Sequence, residues 1–227
     1  MVVNGTCRVV KKQKIPIYDN NQKTFVEAYL VENVPLGMIA KANSEWTRVR
    51  QQYRNHCKQQ GLPCPEHSHW NWENKAKRSE VSSVIQTRFG ILCQDEIQGL
   101  MLVEQMAEFA QLPPDKGAPI VYIKYLETAP HNIEIYVKTR RYKGIGGVLA
   151  YAAIDYSRAQ GCEGRIGLHA LPQAEQVYKN WGMSCLGKDP SHQNLCYFEF
   201  TSRQAEMFQT RPDLLTSVSS TPHPPTH

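Results

Sequence analysis

Arg141-Tyr142-Lys143-Gly144-Ile145-Gly146-Gly147, residues 141–147, runs directly into the best helical pattern of the chain. Ile145, Val148, Leu149, Ala152, Ala153 and Tyr156 recur at three- and four-residue steps and share one face, and Gly161 ends the pattern. Glycines at such a start let a ligand approach the backbone. The unpaired N–H groups of the first turn and the helix dipole make the place an anion site. Arg140, Arg141 and Lys143 add full positive charges. The spacing is R-x-x-G-x-G. A dinucleotide fingerprint needs a glycine where Leu149 stands, and a Walker loop needs a Gly-Lys-Ser/Thr that is absent. Taken alone, so short a motif fits a helix start that binds nothing equally well.

Downstream, Arg165–Ala170 reads as a short strand and Gln173–Trp181 as a second helix closed by Gly182. Residues 183–187 and 194–200 read as a closing pair of strands around Lys188-Asp189-Pro190. Upstream, Ala118–Thr128 is the most strand-like run, and Pro130 ends it. Residues 84–94 and 97–106 form a hairpin about Asp95-Glu96, and two strands within residues 7–33 flank Asp19-Asn20-Asn21. Between them Leu36–Gln60 is predicted helical, with Ile39, Ala42, Trp46, Val49, Tyr53 and Cys57 on its apolar face and Gly61 as its stop. A loop at 61–72 and a short helix near Glu73–Glu80 come next. This α/β order predicts one mixed sheet covered by helices on both faces.

With 227 residues, 41% of them hydrophobic and 21% charged, the chain has a globular composition with material for a core. No apolar run approaches the ~18–20 residues of a membrane span. The start lacks a leader-like stretch, so the expectation is a cytoplasmic protein with no membrane partner, in which the Asn4-Gly5-Thr6 sequon is silent and the seven cysteines are reduced. The net charge of +5 suits an anionic ligand and is too even for a nucleic-acid tail.

The glycine turn gains weight from Val177-Tyr178-Lys179-Asn180-Trp181-Gly182-Met183, which lies one helix and one strand further on. Residues 117–200 together resemble the GNAT superfamily of CoA-dependent N-acyltransferases. Arg141, Gly144 and Gly146 match that family's pyrophosphate-cradling motif, and Tyr178, Gly182 and Met183 match its tyrosine segment. The resemblance implies a GNAT-type fold: a central, mostly antiparallel sheet whose fourth and fifth strands splay apart, with helices on both faces. It implies a domain over 1–208, in which 1–116 is the acceptor side and 117–208 the acyl-CoA side, and a disordered tail over 209–227. One departure from the family is that thirteen residues separate Pro130 from Gly144. We take Val121–Thr128 as the fourth strand and the residues between it and the glycine turn as an inserted loop. The alternative, Ile133–Val137 as the fourth strand, would exchange Glu127 for Glu134 at the site.

The implied activity is transfer of an acyl group, acetyl by default, from acyl-CoA to a primary amine by direct attack in a ternary complex, without a metal. The cofactor is expected against Thr128 and residues Arg141, Tyr142, Lys143, Gly144, Ile145, Gly146 and Gly147. A backbone N–H near Glu127–Thr128 would hold the oxyanion. Tyr178 is the candidate acid for the leaving thiolate. His169, an imidazole that titrates near neutrality, and Glu127 rank together as candidate base, ahead of Glu104 and Glu96, acids that would suit a cationic amine. The acceptor is a small molecule or a lysine-like side chain, the latter with a long-chain donor as the alternative, and the protein is a monomer or homodimer.

Other readings are weaker. Cys57, Cys64, His67 and His69 have no standard zinc spacing. Trp70 and Trp72 are either a substrate wall or buried anchors. Cys162 and Cys185 flank the site without a base partner. A nucleic-acid site would rest on the net charge of +5 and on Arg48-Val49-Arg50, a patch diluted by alternating Glu and Asp elsewhere. A catalytically inactive acyl-CoA-binding or interaction module would keep the turn and lose the chemistry.

Overall fold

A computed structural model describes residues 9–211. Two antiparallel strands, β1 (Lys11–Asp19) and β2 (Thr24–Glu32), open the chain, followed by helices α1 (Leu36–Gln60) and α2 (Trp72–Glu80). The strands β3 (Gln86–Cys93), β4 (Glu96–Phe109) and β5 (Pro119–Thr128) form a meander. The short β6 (Tyr142–Lys143) leads through the glycine turn into α3 (Ile145–Ala159). Then come β7 (Ile166–Ala170), α4 (Glu175–Trp181), β8 (Ser184–Asp189), β9 (Leu195–Phe200) and α5 (Ser202–Gln209). The nine strands lie in the order β6-β1-β2-β3-β4-β5-β7-β9-β8. Every neighbouring pair is antiparallel except β5 and β7, which the α3 crossover joins in parallel.

Alternation along the strands divides the core in two. On one face Met101 and Val103 of β4 pack with Leu149, Ala153 and Ile154 of α3 and with Phe208 of α5. On the other, Leu100 and Leu102 pack with Ile39, Ala42 and Trp46 of α1 and Trp72 and Ala76 of α2. The expected sheet with helices on both faces is therefore present.

The structure corrects several details. On α1, Asn43 and Arg50 are buried with Ile39, Ala42, Trp46 and Cys57, whereas Val49 and Tyr53 lie at the edge of the packed face. Arg50 follows Trp46 at the i+4 position, and its charge hid it from a search for apolar residues. Ile133–Val137 forms no strand: it follows a 3₁₀ turn at Pro130–Asn132 as an irregular loop. α4 starts at Glu175, after a 3₁₀ turn that holds Gln173. α5 was not anticipated, although Thr201 and Gln204 form a capping box legible as T-x-x-Q. Gln209, at the start of the expected tail, closes that helix. The rest of the expected tail from 212, the sequon and Cys7 lie outside the described residues. Among the described residues, no helix is long and apolar enough to cross a membrane.

Candidate active site

β5 and β7 pair only at Val121↔Ile166 and Tyr122↔Gly167, and beyond Tyr122 they diverge. The divergence coincides with a bulge. Leu102 faces Tyr125 and Val103 faces Ile123, so Lys124 is an extra residue on β5. A bulge bends its strand and reverses the alternation after it. Val121 and Ile123 pack on the α3 side, yet Tyr125 packs on the α1/α2 side, and Glu127 follows it there. The gap between the two strands opens into a cavity of about 330 Å³, lined by β5, the 131–147 loop and turn, and α4.

One wall is the glycine turn. Gly144 has φ 77°, the left-handed region that suits glycine, and caps α3 with no side chain bonded to the helix start and no acid in the first turn. The backbone of residues 144–147 lines the cavity, so the N–H groups of the first turn are left for a ligand. Thr128 and Tyr142 also line it, but Arg141 and Lys143 do not. Arg141 turns back to Gln94, to Glu96 at 3.8 Å and over the Tyr142 ring, and Lys143 lies over Tyr18. Arg140 stands at the cavity instead, paired to Glu134 at 2.9 Å. Asn132 holds the loop in place by accepting a hydrogen bond from the Tyr142 N–H at 3.0 Å.

The opposite wall carries Glu127, which is 4% exposed. Nη1 of Arg50 donates to both of its oxygens, at 2.8 and 3.0 Å, and the Trp72 indole N–H donates to Oε2 at 2.5 Å. Burial pushes the Glu127 carboxyl up; Arg50 and Trp72 oppose it. His67 Nε2 lies 3.9 Å from Oε1. Gln173 Nε2 donates to His67 Nδ1 at 3.0 Å, which leaves the ring proton on Nε2, facing the Tyr136 hydroxyl at 3.0 Å. Burial, with Arg50 and His69 nearby, lowers His67 to about 4, so the ring is neutral. In the sequence Arg50 reads only as part of the basic run Arg48-Val49-Arg50, and no local pattern marks Tyr136 or Gln173.

Tyr178 forms part of the floor. It is 8% exposed, stands edge-on to Trp181 at 5.2 Å, and its hydroxyl makes no hydrogen bond among the described residues. Burial pushes it up to about 12, so it stays protonated at working pH. Above it, alternation from the Ala129 N–H, which pairs with Gln98 of β4, leaves the N–H groups of Leu126 and Thr128 facing the gap.

The structure thus brings Glu127, Thr128, Tyr178 and the 144–147 backbone together and leaves other candidates elsewhere. His169 is outside the cavity, bonded to Tyr122 at 2.9 Å and Asp189 at 3.1 Å and stacked on His192. Burial and His192 lower its pKa. His169, Asp189 and His192 bring possible metal-ligand atoms within 4.8 Å of one another. Glu134 does line the cavity, but at its open rim, 70% exposed and paired to Arg140. Glu104 is bonded to Gln86 and Lys124, away from the gap, and Glu96 faces Arg141. Among the described residues the Cys57/Cys64/His67/His69 group forms no metal cluster, since His67 is committed to Tyr136 and Gln173. Trp72 is a buried anchor, and Trp70 is a cavity wall.

No protein-family model matches the sequence, and no curated protein matches it either. The structure is similar to the GNAT domain of S. lividans PAT, at 10% identity over 83% of this chain and 96% of that chain, with a TM-score of 0.51. It is also similar to an acetyltransferase from Thermus thermophilus, at 12% identity over 84% of this chain and 96% of that one, TM-score 0.40. The Bacillus subtilis N-acetyltransferase YlbP in complex with coenzyme A matches at 15% identity over 50% of this chain and 66% of that one, TM-score 0.36. The likeness to the PAT domain, at a TM-score above 0.5, shows the GNAT fold that the two motifs imply.

Proposed function

We propose that the protein is an acyl-CoA-dependent N-acyltransferase. One observation carries this reading: an uncapped α3 start and the Tyr178 hydroxyl open into the same cavity, where β5 and β7 part. The 144–147 N–H groups take the CoA pyrophosphate, and the pantetheine arm runs along β5 toward Tyr178. The acceptor amine enters from the α1/α2 side and attacks the thioester carbonyl. The N–C bond forms, and the oxyanion is held by the Leu126 and Thr128 N–H groups. The C–S bond then breaks, and the thiolate takes its proton from Tyr178. Glu127, with Arg50 as its fixed counter-charge, is the proton acceptor for the amine. His67, neutral and 3.9 Å from the carboxylate, lines the same cavity beside it.

Acetyl is the proposed donor. A longer acyl chain is the second reading, favoured by the apolar wall of Ile133, Leu171, Val177 and Trp181. Thermal unfolding with CoA, acetyl-CoA and acyl-CoAs of rising length tests both. A ligand at about 100 times its Kd stabilises the folded state by about 2.7 kcal/mol, which shifts the melting temperature measurably. A shift with CoA supports the pyrophosphate site, and growth of the shift with chain length selects the longer donor. No shift with any of them rejects the transferase. A shift without acylation of any amine leaves an acyl-CoA-binding module.

A further inference from the structure

Trp70 separates the cavity from a second depression of about 560 Å³ between α2 and the β4–β5 face, and it lines both. Three cations line this groove, Lys75 and Arg78 of α2 and Lys124 of β5, and no carboxylate lines it. Lys124 has a partner, Glu104 at 2.6 Å. Among the described residues, neither Lys75 nor Arg78 makes a salt bridge.

The place of Lys75 is unusual for an unpaired ammonium. Its Nζ lies 3.1 Å from the centre of the Tyr125 ring and 4.3 Å from that of Trp70, and the side chain is half-buried. A cation on aromatic faces is attracted to them, yet it lacks the counter-ion that burial calls for. Burial lowers its pKa to about 8; Glu127 opposes this, while Arg78, Lys124 and Arg50 add to it. The helix that sets Trp72 against Glu127 carries Lys75 three residues later, so the groove is built on the same element as the acceptor wall.

We propose that this groove binds the anionic group, carboxylate or phosphate, of the acceptor molecule, with Lys75 and Arg78 as its ligands. The word acceptor rests on the transferase reading; the anion site does not. A molecule whose anionic end lies on Lys75 and Arg78 reaches past Trp70 into the Glu127 side of the cavity with its amine. Two unpaired cations beside a low-dielectric wall select an anion and reject a second amine.

The test has two arms. In the first, inorganic phosphate and succinate are titrated into the protein, with and without CoA, while the indole N–H resonances of its four tryptophans are followed by NMR. We expect a saturable shift of Trp70, weakened at least tenfold in Lys75→Gln and in Arg78→Gln. Equal shifts in wild type and variants, or no saturable shift with either probe, overturn the site. In the second, primary amines ending in carboxylate or phosphate are compared with their amides and with diamines as acceptors from acetyl-CoA. We expect the anionic amines to have at least tenfold lower KM and the Lys75→Gln loss to fall on KM. The better of the two anions names the source. Diamines acylated as well as anionic amines overturn the proposal. If CoA does not bind and no amine is acylated, the transferase reading fails, and the phosphate and succinate titrations still decide the groove.

Discussion

Arg50 in the middle of α1 and Glu127 at the end of β5, 77 positions apart, share one buried contact in which a single guanidinium nitrogen spans both carboxylate oxygens at 2.8 and 3.0 Å. Both are almost fully enclosed, with 1% and 3% of their side chains exposed. The pair ties α1 to the strand end that borders the cavity.

Removing one partner of such a pair strands a buried charge, at about 3–5 kcal/mol. Arg50→Met and Glu127→Gln should each be destabilised on that scale, and Arg50→Met combined with Glu127→Leu should recover most of it. Urea unfolding measures all three. Single variants within about 1 kcal/mol of wild type would show that the ion pair is not what holds α1 to β5.

Tyr178→Phe removes a hydroxyl that makes no hydrogen bond among the described residues, so the fold and CoA binding should be kept. We expect kcat to fall about ten- to a hundredfold, the range for one proton-transfer group, while the Kd for CoA stays within twofold. Parallel losses in both constants would make Tyr178 a packing residue.

The two halves of the glycine motif should behave differently. A Cβ at Gly146 already meets the Trp181 indole at 3.6 Å, so Gly146→Phe fills the cavity wall and should abolish the CoA-induced rise in melting temperature. Arg141, whose guanidinium faces Gln94 and Glu96, should tolerate Gln with less than about a threefold loss of CoA affinity, the scale of a surface charge. A large loss in Arg141→Gln would mean that the side chain swings to the cofactor.

His67 makes the protein acid-sensitive. Its pKa is about 4 when folded, against 6.5 for an ordinary histidine. Below pH 6.5 the unfolded chain takes up a proton that the folded protein refuses. Stability from this site is therefore complete above pH 6.5 and lost progressively down to about pH 4, by at most about 3 kcal/mol. In chemical denaturation from about pH 7 to about pH 4.5, wild type should lose stability more steeply than His67→Gln. Identical slopes would place the titration elsewhere.

Local chemistry made much of the molecule legible in the sequence. The α1 limits Leu36–Gln60 follow from apolar periodicity and a stop glycine, the α3 start from Gly144, and β5 from a run of Val, Ile and Tyr ended by Pro130. The two motifs pointed to the glycine turn and to Tyr178, which line one cavity, because each is a short-range pattern tied to its own helix. The partners of Glu127 were not legible. Arg50, Trp72 and His67 come from three separate segments, and nothing in their spacing shows that they meet. Strict alternation from Val121 and Ile123 would have placed Glu127 on the α3 side. The extra residue at Lys124 reverses that parity and delivers it to Arg50, just as the tertiary fold, by leaving β7 unpaired with β5 beyond Gly167, leaves His169 on the far side of the gap. A bulge is decided by how two strands pair, not by either strand alone, and so the side of the sheet on which Glu127 lies was set only when β4 and β5 came together.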